Sequence, residues 1–495
     1  MGIIKRQAIK NNLIAFVGVG IGLVSRFIIY PQDKALGGYS DAIIGAALLL
    51  VPFIRFGSTI VMVRFLPYLE TGDKKTGANQ LLARGLAVMT TGLITVALAN
   101  WLGEDWLNRM FPRGVLHDSR WVILGVTAAL VYAEALTSHL VNFNRIAVPV
   151  IFNNILIKVG VPVIFLLVIS GIFNVGNYGL LLIGVYALAV VGLLVYAYGL
   201  GVLKGIWGKL ALSEKQKRQM YIVTLFSVFG EIGARLSVYI DTLSINTYLG
   251  NVDTNVYTLA KFVVGVIVIP SAAITAITAP IVTKAWREKD MDHLRFLYRE
   301  SSMVLYVIGA TILTGAVVCL PVLYDLIPKF DAYRAGYLCV LLLGCGQLLD
   351  LMTSINGSLI GMTDYFRWNI VFVLSLGVLN GILNYVFIEI LGYGITGAAV
   401  ATALSLALYN GAKVGLVYWK MRMHPFSMSL LYSTLVMLLA GGAAFSLPDF
   451  SSDYVNLFLR GSVVVVIFIL YLRFTSAVPA ARRLLTQGVA AAFRQ

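Results

Sequence analysis

Long apolar runs recur from one end of this chain to the other and constrain its fold more than any other feature. Each run has about 20 residues, the length that a helix needs to cross a hydrocarbon core of roughly 30 Å. Only 12% of the 495 residues are charged and 59% are hydrophobic, whereas a soluble domain carries about 25% charged residues. A soluble helical protein would need far more polar surface, so we predict an all-α polytopic membrane protein.

The hydropathy pattern predicts about 14 membrane-spanning helices. They cover residues 11–30, 41–66, 81–101, 121–143, 146–170, 178–203, 220–241, 254–283, 302–324, 335–360, 367–390, 393–419, 426–446 and 454–473. An even number of spans places both ends of the chain on the same side of the membrane.

The basic residues indicate which side that is. Lysine and arginine are concentrated in the terminal segments and in alternate connections, including Lys5, Arg6, Lys74, Lys75, Lys204, Lys215, Lys217, Arg218, Lys284, Arg287, Arg482 and Arg483. The remaining connections hold only Lys34, Arg109, Arg113, Arg120, Lys329 and Arg334. The positive-inside rule therefore predicts cytoplasmic termini. The net charge of +15 then reflects topology and attraction to anionic lipid headgroups, and we expect no nucleic-acid partner.

The chain contains a weak internal repeat. A shift of 213 residues places Leu36-Gly37 on Leu249-Gly250, and further on Tyr178-Gly179 aligns with Tyr393-Gly394. The shift pairs span 1 with span 7, which predicts two parallel, pseudo-twofold-related lobes of six helices each, typical of transporters that work by alternating access. We expect a first lobe at 1–203, a basic cytoplasmic linker at 204–219, a second lobe at 220–420, and two extra spans with a basic cytoplasmic tail at 421–495.

Excluding the loops and the span ends, seven cationic residues fall inside the predicted spans. A charge near the bilayer centre costs about 2.5–3.5 kcal/mol, so each needs an explanation. Two of them, Lys413 and Arg460, are near enough to span ends for the side chain to reach the interface. The other five lie well inside: Arg26, Arg55, Lys158, Arg235 and Lys261.

The central acids offer one explanation for these five cations. Glu231 and Arg235 are four residues apart and share a helix face, so they can form an ion pair. The central acids are Glu134, Glu231 and Asp350, which are too few to neutralise all five cations, and we expect a net positive interior. These three acids are also candidates for binding a coupling Na⁺ or H⁺, unless they satisfy neighbouring hydroxyls or cations instead.

An anion-binding cavity is the other explanation. Arg26 and Arg55 lie on the first two spans of the first repeat, and Arg235 and Lys261 lie on the first two spans of the second, with Arg55 near the middle of its span. Equivalent positions on two lobes are expected to face one cavity. With Lys158, these residues form a predicted cationic substrate site, and guanidinium groups suit bidentate contacts with phosphate.

The chain resembles the polysaccharide and lipid-linked oligosaccharide flippases (Wzx-type) of the MOP exporter superfamily. The resemblance rests on the opening segment "IKRQAIKNNLIAFVGVGIGLVSRFIIYP", the two lobes, the extra spans 13 and 14, and the arginines on spans 1 and 2. It covers essentially the whole chain. It implies transport of an undecaprenyl-pyrophosphate-linked glycan, such as an O-antigen or other polysaccharide repeat unit, from the cytoplasmic to the periplasmic leaflet of a bacterial inner membrane.

The same resemblance implies partners and a site for the lipid. Membrane lipids and polysaccharide polymerase machinery are the expected partners of a monomer that has no cofactor or resident metal besides a coupling ion. In the lipid II flippase branch, the extra helix pair lines a groove for the lipid tail. Gly441 and Gly442 could shape such a groove here, or serve close helix packing.

Two other functions remain open. Drug exporters of the same superfamily use about 12 spans and intramembrane acids, so Glu134 and Asp350 keep an H⁺- or Na⁺-coupled multidrug antiporter as the alternative. A membrane-embedded glycosyltransferase or polymerase would need a large external loop. The longest one here, "LGEDWLNRMFPRGVLHDSR", contains Glu104 and His117 but is short and resembles an interfacial cap. We therefore expect a transporter and not an enzyme.

Overall fold

The computed structural model describes residues 14, 17–69, 74–111, 113–203, 212–326 and 330–475, and every regular element in these ranges is helical. Thirteen of these helices are long and apolar enough to cross a membrane. They correspond to predicted spans 2 to 14. Predicted span 1, at 11–30, coincides with a shorter apolar helix, Val17–Gln32, and part of its start lies outside the described residues. The predicted all-α polytopic membrane fold is confirmed.

The chain divides into two compact units, Met1–Asn255 and Val256–Gln495. The helices of the first unit are α1 (Val17–Gln32), α2 (Lys34–Arg55), α3 (Ser58–Arg64), α4 (Lys74–Leu102), α5 (Glu104–Met110), α6 (Val115–Asp118), α7 (Arg120–Val141), α8 (Ala147–Val150), α9 (Ile157–Ile169), α10 (Tyr178–Gly199) and α11 (Glu214–Tyr248). Within α1 the turn Ser25–Ile29 is π-helical, and a second π-helical segment, Ile151–Leu156, joins α8 to α9 in one span.

The second unit holds most of α12 (Asn251–Glu288), followed by α13 (Met291–Leu326), α14 (Tyr337–Met352), α15 (Asn356–Gly361), α16 (Phe366–Asn384), α17 (Gly394–Met421), α18 (Met428–Phe445) and α19 (Asp453–Phe474). A π-helical segment, Tyr385–Ile390, continues α16. The predicted lobe boundaries stay a prediction, and residues 204–211 of the predicted linker lie outside the described residues.

Helix α2 differs from the predicted span 41–66 at both ends. Asp33 caps its N-terminus by accepting a hydrogen bond from the backbone N–H of Leu36 at 3.0 Å, as expected of an N-cap aspartate. The helix ends at Arg55, because Phe56 and Gly57 both take left-handed backbone conformations, with φ of 45° and 69°. This break divides the predicted span into α2 and α3, and the position of Arg55 near the middle of that span stays a prediction. The arginine is the last residue of α2, where a cation is favoured by the helix dipole.

Helices α2 and α11 pack closely and run antiparallel. Beyond the C-terminal end of α11, a Cβ added to Gly38 of α2 would clash with the backbone carbonyl oxygen of Asn251, the first residue of α12. Just after the C-terminal end of α2, a Cβ on Gly57 would lie 3.1 Å from the carbonyl oxygen of Thr224 on α11. Glycine at both positions lets the neighbouring backbones approach closely, as at other membrane helix contacts. This packing brings the C-terminal end of α2 beside the first half of α11.

Helix α7 lies at the centre of the first unit and contacts α2, α3, α4 and α10. Buried Val126 joins a core formed with α2, α9 and α10, and buried Val131 joins a second core formed with α2, α3 and α4. Glu134 follows Val131 by three residues on this helix. The packing of α7 therefore fixes the backbone that carries Glu134 against α2.

In the second unit, α13 packs against α14, α18 and α19, and α14 packs against α17. Val318, Ala444 and Val464 form a fully buried contact where α13, α18 and α19 meet. The two C-terminal helices outside the predicted repeat are thereby held on α13.

Candidate functional site

Four charged side chains of the first unit meet in what we call the ion-pair cluster. Arg55 comes from α2, Glu134 from α7, and Glu231 and Arg235 from α11. Arg55 pairs through Nη1 with Glu134 and through Nη2 with Glu231. Arg235 donates from Nη2 to Oε1 of Glu134 at 3.2 Å, and its Nε lies 3.8 Å from Oε1 of Glu231. Each carboxylate therefore bridges both guanidinium groups.

The cluster is partly open to its surroundings. Arg55 and Glu231 retain only 12% and 13% side-chain exposure, whereas Arg235 and Glu134 retain 24% and 27%. Arg235 and Glu134 are therefore the more exposed members of the cluster. Sequence reasoning named all four residues and recognised that Glu231 can pair with Arg235. It did not predict that Arg55 would pair with Glu134 and Glu231.

The formal charge of the cluster is zero, with two cations and two anions. The expected net positive interior is therefore wrong at this point of the first unit. Removing one partner of a buried pair usually costs about 3–5 kcal/mol, because the remaining charge stays buried without compensation. The four residues are thus expected to depend on one another.

Arg26 has a separate partner that sequence reasoning missed. Its Nη1 and Nη2 donate to the two oxygens of Asp41 at 2.5 and 2.6 Å, and its guanidinium carbon lies 5.2 Å from the centre of the Tyr30 ring. The Asp41 side chain is 6% exposed. Asp41 was overlooked because the predicted span began at that residue, so the carboxylate counted as a span end. The N-cap pattern at Asp33 was the available signal, since it places Asp41 two turns inside α2.

Lys158 lies near the middle of the span Ala147–Ile169, at the start of α9. Its Nζ would lie 3.3 Å from a Cβ added to Gly18 of α1. Among the described residues, Lys158 forms no ion pair within 4 Å. Lys158 is half-buried, and its place in the cationic site stays a prediction.

Two predicted residues lie in the second unit. Lys261 is half-buried on α12, and its membership of the cationic site stays a prediction. Asp350 is near the end of α14, where its Oδ1 accepts a hydrogen bond from Nδ2 of Asn410 at 3.0 Å and its Oδ2 accepts one from Nε2 of Gln347 at 3.2 Å. Asp350 is therefore held by amide groups.

The two cations that were predicted near span ends, Lys413 and Arg460, have different kinds of partner. Lys413 was expected to reach an interface, which is wrong, because it is 6% exposed and its Nζ donates to the hydroxyl of Tyr409 at 2.8 Å. Arg460 pairs at 2.6 Å with the exposed Asp449, in the connection between α18 and α19, and its reach to the membrane interface stays a prediction.

Guanidinium groups are in general well suited to binding anions. Arginine keeps its charge under all physiological conditions and offers paired N–H donors that match phosphate oxygens. Within the described part of the chain, no group of three or more His, Cys, Asp or Glu side chains is arranged to hold a metal ion.

No protein-family model matches this chain. It is similar to the "Probable low-salt glycan biosynthesis flippase Agl15" of Haloferax volcanii, with 27% identity over 206 residues. The match spans 40% of this chain and 41% of the relative, about two fifths of the relative's length.

Solved structures resemble the chain over a greater length. The inward closed conformation of the lipid II flippase MurJ superposes with a TM-score of 0.69 at 12% identity, covering 94% of this chain and 99% of that one. An inward-facing multidrug resistance MATE family transporter of the MOP superfamily superposes with a TM-score of 0.62 at 13% identity, covering 83% and 94%. The chain has the MurJ and MATE fold, and the predicted resemblance to MOP exporters is confirmed at this level.

Proposed function

We propose that this chain is a flippase that moves an undecaprenyl-pyrophosphate-linked oligosaccharide between membrane leaflets by alternating access. The observation that carries the proposal is the meeting of the Arg55 and Arg235 guanidinium groups in one partly exposed cluster. They come from α2 and α11, two spans that the predicted repeat assigns to different halves of the chain. Two guanidinium groups that share their acceptors are arranged to share a pyrophosphate as well.

In the proposed mechanism, the ligand exchanges with the carboxylates. Pyrophosphate oxygens replace Glu134 and Glu231 as acceptors of the arginine N–H groups, beginning at the more exposed Glu134 and Arg235 side. The arginine N–H groups keep charged acceptors throughout, which compensates desolvation of the pyrophosphate, whereas displacement of the two carboxylates opposes binding. When the ligand leaves, the two carboxylates return and close the cluster. The bidentate pair of Arg26 with Asp41 can exchange in the same way.

An apolar cavity in the second unit supports a lipid cargo. It has a volume of about 550 Å³ and lies between α13, α14 and α18, with Leu313, Leu348, Gly441 and Gly442 in its lining. A Cβ on Gly442 would meet nothing within 4 Å, so this glycine leaves space open instead of serving helix contact. We propose that the cavity receives part of the polyprenyl tail.

The names of the similar proteins agree with a flippase. MurJ is a lipid II flippase, and the Haloferax volcanii relative is described as a flippase of glycan biosynthesis. We propose, on the basic-residue distribution, a cytoplasmic membrane location with both termini in the cytoplasm. An O-antigen cargo, a polymerase partner and a monomeric state belong to the same proposal.

A multidrug antiporter is the second candidate, because the ion-pair cluster contains as many acids as arginines and a MATE transporter shares the fold. In that case Glu134 or Asp350 would bind the coupling H⁺ or Na⁺, and Arg26 would be dispensable. Neutralising Glu134 in cells that depend on the protein for drug resistance would then raise drug sensitivity.

Binding of undecaprenyl pyrophosphate to the purified protein tests the flippase proposal. Arg235→Gln should weaken binding by about ten- to a hundredfold, as expected for loss of a charge-assisted hydrogen bond of about 1.5–3 kcal/mol. Arg460→Gln is the matched control, because Arg460 pairs with Asp449 outside the cluster, and it should bind as the wild type does. Since Arg55→Gln alone leaves Glu231 short of a partner, the charge-balanced variant Arg55→Gln/Glu231→Gln is the better second test. Equal affinity in all variants would count against the proposal.

A further inference from the structure

A polar network of the second unit is centred on Asp350, one of the acids predicted to bind a coupling Na⁺ or H⁺. Its Oδ1 accepts a hydrogen bond from Nδ2 of Asn410 at 3.0 Å, and its Oδ2 accepts one from Nε2 of Gln347 at 3.2 Å. Oγ1 of Thr353 in turn donates to Oδ1 of Asn410 at 2.8 Å. Each carboxylate oxygen of Asp350 therefore already has a donor, and so has the amide oxygen of Asn410.

Lys413 lies beside this network on α17. It follows Asn410 by three residues, so the two side chains are neighbours on one helix face. The lysine is only 6% exposed, and its Nζ donates to the hydroxyl of Tyr409 at 2.8 Å. From α15, a Cβ added to Gly357 would lie 3.9 Å from Nζ. The ammonium group is therefore held inside the second unit, next to the amide that binds Asp350.

Lys413 and Asp350 carry opposite charges that interact without direct contact. Among the described residues neither forms an ion pair within 4 Å, but the carboxylate acts electrostatically on the ammonium. A buried charge is costly unless an opposite charge and hydrogen bonds compensate it. The hydroxyl of Tyr409 is neutral, so the nearby carboxylate is needed to balance the charge of Lys413. Together the two residues give this site a formal charge of zero.

From this arrangement we infer that Lys413 is the built-in counter-cation of Asp350 and replaces a bound Na⁺ at this site. Transporters bind Na⁺ through oxygen atoms, and here the oxygens of Asp350 and Asn410 already accept hydrogen bonds. A bound Na⁺ would also lie close to the ammonium, and like charges repel strongly in a low-dielectric interior. We therefore expect no Na⁺ coupling through Asp350, whichever cargo the chain moves.

Thermal unfolding of the purified full-length protein, measured in NaCl and in KCl of equal ionic strength, tests this inference. Wild type should respond to Na⁺ no more than Asp350→Asn does, because Na⁺ does not use this carboxylate. Lys413→Met frees Asp350 for a cation, and the Asn410 amide can then turn its oxygen toward the ion. Relative to wild type, this variant should gain about 2 °C in NaCl over KCl, and Lys413→Met/Asp350→Asn should lose that gain.

Two matched variants show whether the charge of Lys413 is responsible. Tyr409→Phe removes the acceptor of the ammonium but keeps the charge, and Lys158→Met removes a lysine of the first unit. Both should respond to Na⁺ as the wild type does. A Na⁺ response of wild type that Asp350→Asn abolishes, or a response of Lys413→Met no greater than that of wild type, would overturn the inference, as would an equal gain in either control.

Stability provides a second test if Lys413→Met folds poorly. Loss of the counter-cation leaves the carboxylate of Asp350 uncompensated, so the added change Asp350→Asn should restore folding. The two changes together should then cost less stability than the sum of the single changes. A double variant that folds no better than Lys413→Met would overturn the inference, since the two charges would then be independent of each other.

Discussion

Arg55 and Arg235 bind opposite oxygens of one carboxylate: Arg55 reaches Oε2 of Glu134, and Arg235 reaches Oε1 at 3.2 Å. Glu231 is shared by the same two arginines. Two guanidinium groups that would otherwise repel each other are thereby held together in a low-dielectric region. The carboxylates hold the two arginines close together, and we propose that a dianionic ligand replaces the carboxylates between them.

Glu134→Gln removes one of the shared acceptors and leaves an excess positive charge. We expect the variant to bind undecaprenyl pyrophosphate several times more tightly, because the ligand no longer displaces a carboxylate. It should also be less stable, though by less than the 3–5 kcal/mol of a fully buried pair, since Glu134 retains 27% exposure. Ligand titration and thermal unfolding of the same preparation measure both effects. Weaker binding would indicate that Glu134 itself contacts the ligand.

The bidentate pair of Arg26 with Asp41 should behave as a unit. Arg26→Gln and Asp41→Asn each leave a charge of the pair without its partner, whereas the double variant leaves none. The double variant should therefore be more stable than the sum of the two single changes predicts, with a coupling energy in the range of about 0.5–3 kcal/mol. A double-mutant cycle on thermal unfolding measures it, and strict additivity would show that the pair contributes nothing.

Lys158→Met should raise stability and lower transport together. A lysine near the centre of a span costs about 2.5–3.5 kcal/mol, and Lys158 has no ion-pair partner among the described residues to offset that cost. Thermal unfolding and glycan export by the same variant are the two measurements. Lys413→Met is the comparison, because Lys413 donates to Tyr409 and its removal should give less stabilisation. A stable Lys158→Met protein with full export would remove Lys158 from the site.

Gly442→Leu should narrow the apolar cavity of the second unit. We expect weaker binding of undecaprenyl pyrophosphate and unchanged binding of geranyl pyrophosphate, whose chain is too short to depend on the cavity. Gly411→Leu is the control, since Gly411 also has open space around its Cβ position but lies on α17, outside the cavity lining. Equal loss for both ligands would mean that the substitution disturbs the fold and not the tail site.

Most of the fold could be predicted because hydropathy directly reports which segments must avoid water. The ends of α2 could not be placed in this way, because they depend on the Asp33 cap and on left-handed backbone at Phe56 and Gly57. That error had a consequence for the site. Asp41 was left out of the central acids, so Arg26 was assigned no acidic partner, and the helix break that follows Arg55 was missed.

Ion pairs between residues that are distant in the chain could not be predicted from the sequence either. The spacing of Glu231 and Arg235 predicted one contact on one helix face, since side chains four residues apart are neighbours there. The convergence of Arg55 with both acids depends on how α2, α7 and α11 pack, and residue spacing holds no information about that. Burial of Lys413 likewise follows from packing of α17, although its position near a span end suggested an exposed side chain.

Transport by purified protein in vesicles tests the central claim most directly. A fluorescent undecaprenyl-pyrophosphate-linked sugar is placed in the vesicle membrane, and its arrival in the opposite leaflet is followed with wild type, with Arg235→Gln and with the control Arg460→Gln. We predict that wild type and Arg460→Gln move the lipid, and that Arg235→Gln, although folded, moves it at least tenfold more slowly. Equal rates for wild type and Arg235→Gln, or no movement of the lipid by wild type, would contradict the proposed role of the ion-pair cluster.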